Sequence, residues 1–320
     1  MHKLKLSLTA LALCLFAFSS TAQERIEKSF SGIENIRLVT SSGNGTIKKS
    51  SNNEVKVTLE FTYDEEDYKP SFEQRGETLY IEEEFRRSRW TRGYSEWTLE
   101  VPDGLELDFK TGSGNIEVDG VVIELQVNSG SGNIQVDRVS GDTRANTGSG
   151  NISFRDVDGM LDANTGSGSI RLESVKGDAD LNTGSGNIRA NGVEGALDLN
   201  TGSGNIDIRE ATITGASSFN TGSGNTSVVL SAPLNSDVSL NTGSGNATLD
   251  FNGQKIEGEF IMRANDKSDI RAPFRFDKEY EGSGDRWGGR NRGYTKEAKI
   301  GSKNITIRIS TGSGNAVVRE

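Results

Sequence analysis

From Gly112 onward, apolar and polar positions alternate in short bursts, and the bursts return at a fixed distance. Between Gly148 and Thr165, Ile152 and Phe154 alternate with Asn151, Ser153 and Arg155; Val157 and Gly159 follow, and Leu161 and Ala163 then alternate with Asp162 and Asn164. Alternation over four or five residues reads as a strand with one buried face. Each unit is therefore predicted to hold two short strands separated by two turns. Shifting the pattern by 18 residues superimposes it on itself: Ile116, Ile134, Ile152, Ile170, Ile188 and Ile206 form one apolar column, and Val121, Val139, Val157, Val175 and Val193 another. A third runs Leu125, Thr143, Leu161, Ala179, Leu197.

The turns repeat with the strands. Asn146-Thr147-Gly148-Ser149-Gly150-Asn151 returns nearly unchanged, with its first glycine at Gly112, Gly130, Gly148, Gly166, Gly184 and Gly202, then at Gly222, Gly243 and Gly312 after longer gaps. A second turn falls near Gly141, Gly159, Gly177 or Gly195. A unit this small cannot bury an apolar face alone, so copies must stack. The predicted fold is all-β: a parallel β-solenoid of 18-residue, two-strand rungs with a thin core and an irregular N-terminal cap. Gly148, Gly150, Asn151, Gly184, Gly186 and Asn187 are expected to be structural corner residues, with glycines at positive φ and asparagines forming amide ladders between rungs.

Outside the array the rhythm loosens. Residues 23–110 alternate at Val55-Lys56-Val57-Thr58-Leu59 and Trp97-Thr98-Leu99-Glu100-Val101 and carry a worn corner at Ser42-Gly43-Asn44-Gly45, which suggests a cap and irregular first rungs. The regular solenoid spans 111–253. Residues 254–320 hold a strand near Ile256–Met262, a long charged loop at about 272–299, and a closing rung from Ile305 to Asn315.

Residues 1–22 look like a signal peptide: Lys3 and Lys5, an apolar run from Leu6 to Phe18, then Ser20-Thr21-Ala22, with cleavage expected after Ala22. Export to the periplasm, the cell surface or the medium is the expectation. The only cysteine, Cys14, and the only histidine, His2, would leave with the signal. That excludes disulfides, Cys or His metal sites and any histidine-based nucleophile from the exported form. The remaining 34 basic and 46 acidic residues argue against nucleic acid as a partner. No later apolar run approaches the ~20 residues of a membrane-spanning helix.

The run Trp97-Thr98-Leu99-Glu100-Val101-Pro102, followed by Leu107-Asp108-Phe109-Lys110-Thr111-Gly112-Ser113-Gly114-Asn115-Ile116, the Ser-Gly-Asn-Ile rungs and the final Ile305-Thr306-Ile307-Arg308-Ile309-Ser310-Thr311-Gly312-Ser313-Gly314-Asn315, resembles the DUF4097-type β-strand-repeat adhesin families, relatives of the head GIN domain. The resemblance covers most of the exported chain. It implies an extracytoplasmic repeat fold and an adhesin-type role, and brings no catalytic signature with it.

Several chemistries can be weighed against the residues. Gly-Ser-Gly could cradle phosphate, but no helix follows it and nine copies argue for a structural corner. Calcium-binding β-rolls share the 18-residue coil but need Gly-Gly-x-Gly-x-Asp in both turns. Here the residual cation candidates are Asp162, Asp180 and Asp198, one outward column, set against the simpler reading of a soluble acidic face. The threonine column Thr147, Thr165, Thr183, Thr201 is single, unlike the paired ranks of ice-binding faces. Two irregular segments echo each other: Arg89, Trp90, Arg92 and Tyr94 in the first, and Arg286, Trp287, Arg290, Arg292 and Tyr294 in the second. Trp, Tyr and Arg together supply stacking, cation-π and bidentate contacts suited to an anionic sugar or a protein partner. The bland alternative packs the rings on the solenoid flank and pairs the arginines with Glu82 to Glu84, or with Asp277 and Glu279. The expected function is a non-enzymatic envelope or surface binding or adhesion module, without cofactor, whose partner is an envelope component, glycan or protein. A self-associating structural solenoid and a carbohydrate-active enzyme using carboxylates are the alternatives.

Overall fold

The computed structural model describes residues 24–86, 93–281 and 293–320. Among these residues all regular structure is β-strand, apart from one three-residue 3-10 turn at Lys267–Asp269. The strands stack into two long sheets, one of 14 and one of 15 strands. In the first sheet Ile134 lies opposite Ile152 and Ile152 opposite Ile170; in the second, Leu125, Thr143, Leu161 and Ala179 follow one another. All these pairings are parallel, so the array is the parallel β-solenoid that the 18-residue period requires.

The core lies between the sheets and is filled by the inward columns. Phe109, Phe154 and Phe219 are fully enclosed, and the Ile116-to-Ile206 column is buried throughout. Full burial of such a side chain contributes ~1.5–3 kcal/mol each. The corner threonines belong to this interior. Thr147 Oγ donates to the Gly132 carbonyl (2.9 Å) and accepts from the Gly150 amide (3.1 Å), and Thr165 repeats the pair with Gly150 and Gly168 (2.8 and 3.1 Å). A threonine column that ties rung to rung from inside is not a surface rank.

The corner glycines differ from expectation. Gly148, Gly150, Gly184 and Gly186 do not have positive φ; positive φ occurs instead at the opposite turn, at Gly141, Gly159 and Gly177. What the corner requires is closeness. A Cβ on Gly150 would sit 1.9 Å from the Gly132 carbonyl oxygen, and one on Gly148 would sit 2.4 Å from that of Gly130. Asn151 and Asn187 work between rungs: the Asn151 amide N–H donates to the Asn133 side-chain carbonyl and the Asn205 N–H to that of Asn187, both at 2.9 Å. This chain of bonds starts at Asn44, the worn corner, and ends at Asn315.

A bend within the first strand of each rung, or just after it in the rungs of Gly120 and Arg138, adds a feature that the alternation does not predict. Gly120, Arg138, Asp156, Ser174, Gly192 and Glu210 share one column, and all adopt left-handed backbone, with φ between 52° and 69°. The pairing skips this position, passing from Arg155 opposite Glu173 to Val157 opposite Val175.

Both ends are built by overshoot and return. The strands Asn35–Thr40 and Asn44–Lys49 lie directly against Glu106–Thr111 and Ile116–Asp119. The residues between them run outward into antiparallel strands and then come back. At the far end, Thr306–Ser313 and Ala316–Arg319 pair with Val238–Ser244 and Ala247–Asp250. The rung expected to close the stack is therefore covered: Gly258–Ala264 lies beyond it, then Tyr294–Ile300 and Lys278–Glu281. The stretch expected to be a long charged loop thus contains two antiparallel strands, held by Lys-Glu and Tyr-Glu contacts across the pair.

At the N-terminal end a set of side chains replaces the missing neighbour of the first corner. Glu83 accepts hydrogen bonds from Tyr68 (3.0 Å), Trp97 Nε1 (3.1 Å), Ser95 and the backbone N–H of Ser41 (2.7 Å). In a regular rung the N–H at the Ser41 position donates to a preceding backbone carbonyl, as Gly148 does to Ser129. Burial, followed by the nearby Glu83 charge, pushes the Tyr68 phenol well above its ordinary range.

Candidate functional site

The site follows from the corner sequence itself. Asn is the last outward residue of each second-sheet strand, Thr points inward and the following Gly has no side chain, so a lane free of side chains runs beside a ridge of amides. Repeated over seven rungs, it becomes an open groove of about 1090 Å³ from Lys110 and Thr111 to Asn220, Thr221 and Gly222. Six rung spacings make it roughly 29 Å long. Lys110 is the one ionisable residue in its lining, and it pairs with Asp108 at 2.7 Å.

The amides form a broken ladder. Asn146 donates to Asn128 and Asn164 to Asn146, both at 3.1 Å; Asn220 donates to Asn200 and Asn241 to Asn220, both at 2.9 Å. Between these runs Asn182 and Asn200 instead turn along their own strands to Asp180 and Asp198, at 2.9 and 3.0 Å. The side-chain carbonyl oxygens of Asn164 and Asn182 consequently have no donor among the described residues, and both side chains remain half-buried. The asparagines are visible in the sequence but the groove is not, because it takes the third dimension to put an empty glycine lane next to them.

The aspartate column borders this groove. Asp162, Asp180 and Asp198 are in register one rung apart. They form part of a second, acidic depression of about 570 Å³ that also includes Asp142 and Asp178. These carboxylates already have partners: Asp162 accepts from Arg144 Nε and the Asn164 amide, both at 2.8 Å, and Asp198 accepts from Ser218 (2.7 Å). Asp142 and Asp178 each accept the backbone N–H of the next rung, at Met160 and Ala196. Among the described residues, no group of three or more His, Cys, Asp or Glu side chains is arranged to hold a metal ion.

Arg89, Trp90, Arg92, Arg286, Trp287, Arg290 and Arg292 lie outside the described residues. Of the described strands in their neighbourhood along the chain, Thr78–Phe85 and Tyr294–Ile300 are twelve places apart in the second sheet, about 55 Å at the strand spacing. Tyr94 is 46% exposed, and its backbone N–H is held by Thr62 Oγ (3.1 Å); Tyr294 is half-buried against the C-terminal core. Of the acids weighed as arginine partners, Glu83 has partners in the cap, Asp277 accepts from the Lys299 N–H (2.9 Å), and Glu279 pairs with Lys267 (2.5 Å).

The architecture defines the class: a two-sheet parallel solenoid of stacked corners, closed at both ends by antiparallel strands. The chain belongs to the Toastrack DUF4097 family, whose model matches residues 33–273. No curated protein matches the sequence. Among solved structures the chain is similar to a candidate adhesin from Parabacteroides distasonis, at 14% identity and TM-score 0.42, covering 72% of this chain and 90% of that one. It is also similar to a candidate lipid-binding protein from the same species, at 16% identity and TM-score 0.37, covering 93% and 96%. A candidate cell-adhesion protein from Clostridium sporogenes aligns at 10% identity and TM-score 0.24, covering 93% and 98%. Among the described residues no helix is long and apolar enough to cross a membrane.

Proposed function

We propose that the chain is a non-enzymatic, exported binding module of the cell envelope or surface that holds its partner along the side of the solenoid. The observation that carries this reading is the groove: one recognition element repeated over seven rungs, as Asn-Thr-Gly in five of them, lined by amides, hydroxyls and glycine backbone. A lining of that kind holds an extended partner through many weak, equivalent contacts. It does not place an acid and a base with separated pKa values about one bond, as glycoside hydrolysis demands. The segments around Arg89 to Tyr94 and Arg286 to Tyr294, rich in arginine and aromatic residues, then add further contacts to the partner.

The test is cosedimentation of the form starting at Gln23 with isolated cell-envelope fragments. Saturable retention is expected, and weaker retention when Trp90→Ala and Trp287→Ala are combined. Absence of saturable retention would overturn the binding reading; unchanged retention in the double variant would remove only those further contacts.

A further inference from the structure

The middle of the groove carries more chemical information than its ends. There the amide ladder breaks, the Asn164 and Asn182 side-chain oxygens are open to an outside donor, and the carboxylates of Asp162 and Asp180 stand two residues back along the same strands. From these positions we infer that the stretch from Asn164 to Asn200 is a binding site for a neutral, extended, β-linked glycan lying along the solenoid axis. The inference rests on the binding-module reading above and names the ligand class for that groove.

Each element of the site selects against other occupants. A sugar hydroxyl both donates and accepts, so it can donate to an asparagine carbonyl or an aspartate and accept from a free amide N–H. Bonds to a carboxylate are the stronger kind. An acidic polymer would meet the Asp162, Asp180 and Asp198 column and a chain of net charge -10, with Lys110 alone to receive it in the groove. A peptide strand would find no open edge, because the backbone groups beside the groove bond along the stack from rung to rung. An extended β-linked glycan advances about one rung spacing per sugar and turns alternate sugars over, so that every second sugar meets equivalent residues two rungs on. The glycine lane at Gly166, Gly184 and Gly202 lets the rings approach the backbone.

Affinity electrophoresis of the form starting at Gln23 in gels containing hydroxyethylcellulose, dextran or polygalacturonate tests this. Retardation by hydroxyethylcellulose is expected, persisting in high salt, with little from coiled dextran and none from polygalacturonate. Asn164→Ala combined with Asn182→Ala should weaken retardation roughly tenfold. Asn182 makes no rung-to-rung amide bond, so Asn182→Ala alone leaves the ladder intact and checks binding without a folding change. Ser185→Trp, on the exposed corner beside Gly184, should block the groove independently. Equal retardation of all these variants, retardation by polygalacturonate in preference, or none by hydroxyethylcellulose would overturn the inference. Envelope retention that survives in Ser185→Trp would sink the glycan site while leaving the binding module standing; loss of envelope retention in the unmodified protein would sink both.

Discussion

At the scale of single residues the chain is governed by what fits between one rung and the next. Gly150→Ala places a methyl group 1.9 Å from a backbone carbonyl that cannot move without its whole rung. A loss above ~3 kcal/mol is expected in chemical denaturation, whereas Ser149→Ala, one residue away on the exposed corner, should change little. Thr165→Val keeps the shape but strips the hydroxyl from two buried bonds, with an expected cost of ~1–3 kcal/mol. The left-handed column gives a prediction of opposite sign. Asp156 has φ 52° in a column that uses glycine two rungs away on either side, at Gly120 and Gly192, so Asp156→Gly should stabilise the protein by roughly 0.5 kcal/mol, measurable as a shift of the denaturation midpoint. The glycines and threonines were legible as a repeat; their reasons were not. Sequence spacing reports that a corner exists, while the distance to the corner below decides whether a glycine serves conformation or clearance.

At the scale of elements the caps differ from the rungs in what holds them. Rungs are held by buried columns and backbone ladders, but the carboxylates whose protonation is displaced lie in or next to the caps. Hydrogen bonds from Arg25, Arg75, Lys255 and Lys267 hold Glu27, Glu73, Glu257 and Glu279 below their usual range, and Lys49 does the same for Asp103. A lowered folded-state pKa means stabilisation that is complete above the unfolded value, near pH 4, and is lost as pH falls through the folded one. Because these pairs are exposed the effect is small, and it is confined to the ends. Hydrogen exchange at pH 3 compared with pH 6 should therefore show cap strands losing protection before the rungs; equal loss everywhere would contradict this division. The cap elements could be seen in the sequence as alternating strands, but not their order. Nothing local in Thr306–Ser313 says that it will slide between the array and strands that precede it in the chain.

For the whole molecule the question is why a stack of identical units stops. Exposed edge strands invite pairing with another chain, and charge or proline on the edge prevents it. The outermost strands here are Glu24–Ser31, with Arg25, Glu27 and Lys28; Tyr68–Arg75, with Pro70; Ile270–Arg271, only two residues long; and Lys278–Glu281, all of it exposed. Light scattering of the form starting at Gln23 is thus expected to show a monodisperse monomer across a wide concentration range. Concentration-dependent growth would favour the self-associating solenoid instead.

The sequence by itself determined the coil: an 18-residue period with apolar columns and glycine corners admits only a stack of two-strand rungs, because no single unit can bury its own apolar face. It also marked every asparagine of the groove. The tertiary structure alone decided what those residues enclose. Stacking sets the empty glycine lane beside the amide ridge and breaks the ladder at Asn182, which turns along its own strand to Asp180. A one-dimensional repeat contains the identity of each column, whereas a groove is the space between columns and exists only once the rungs are laid on one another.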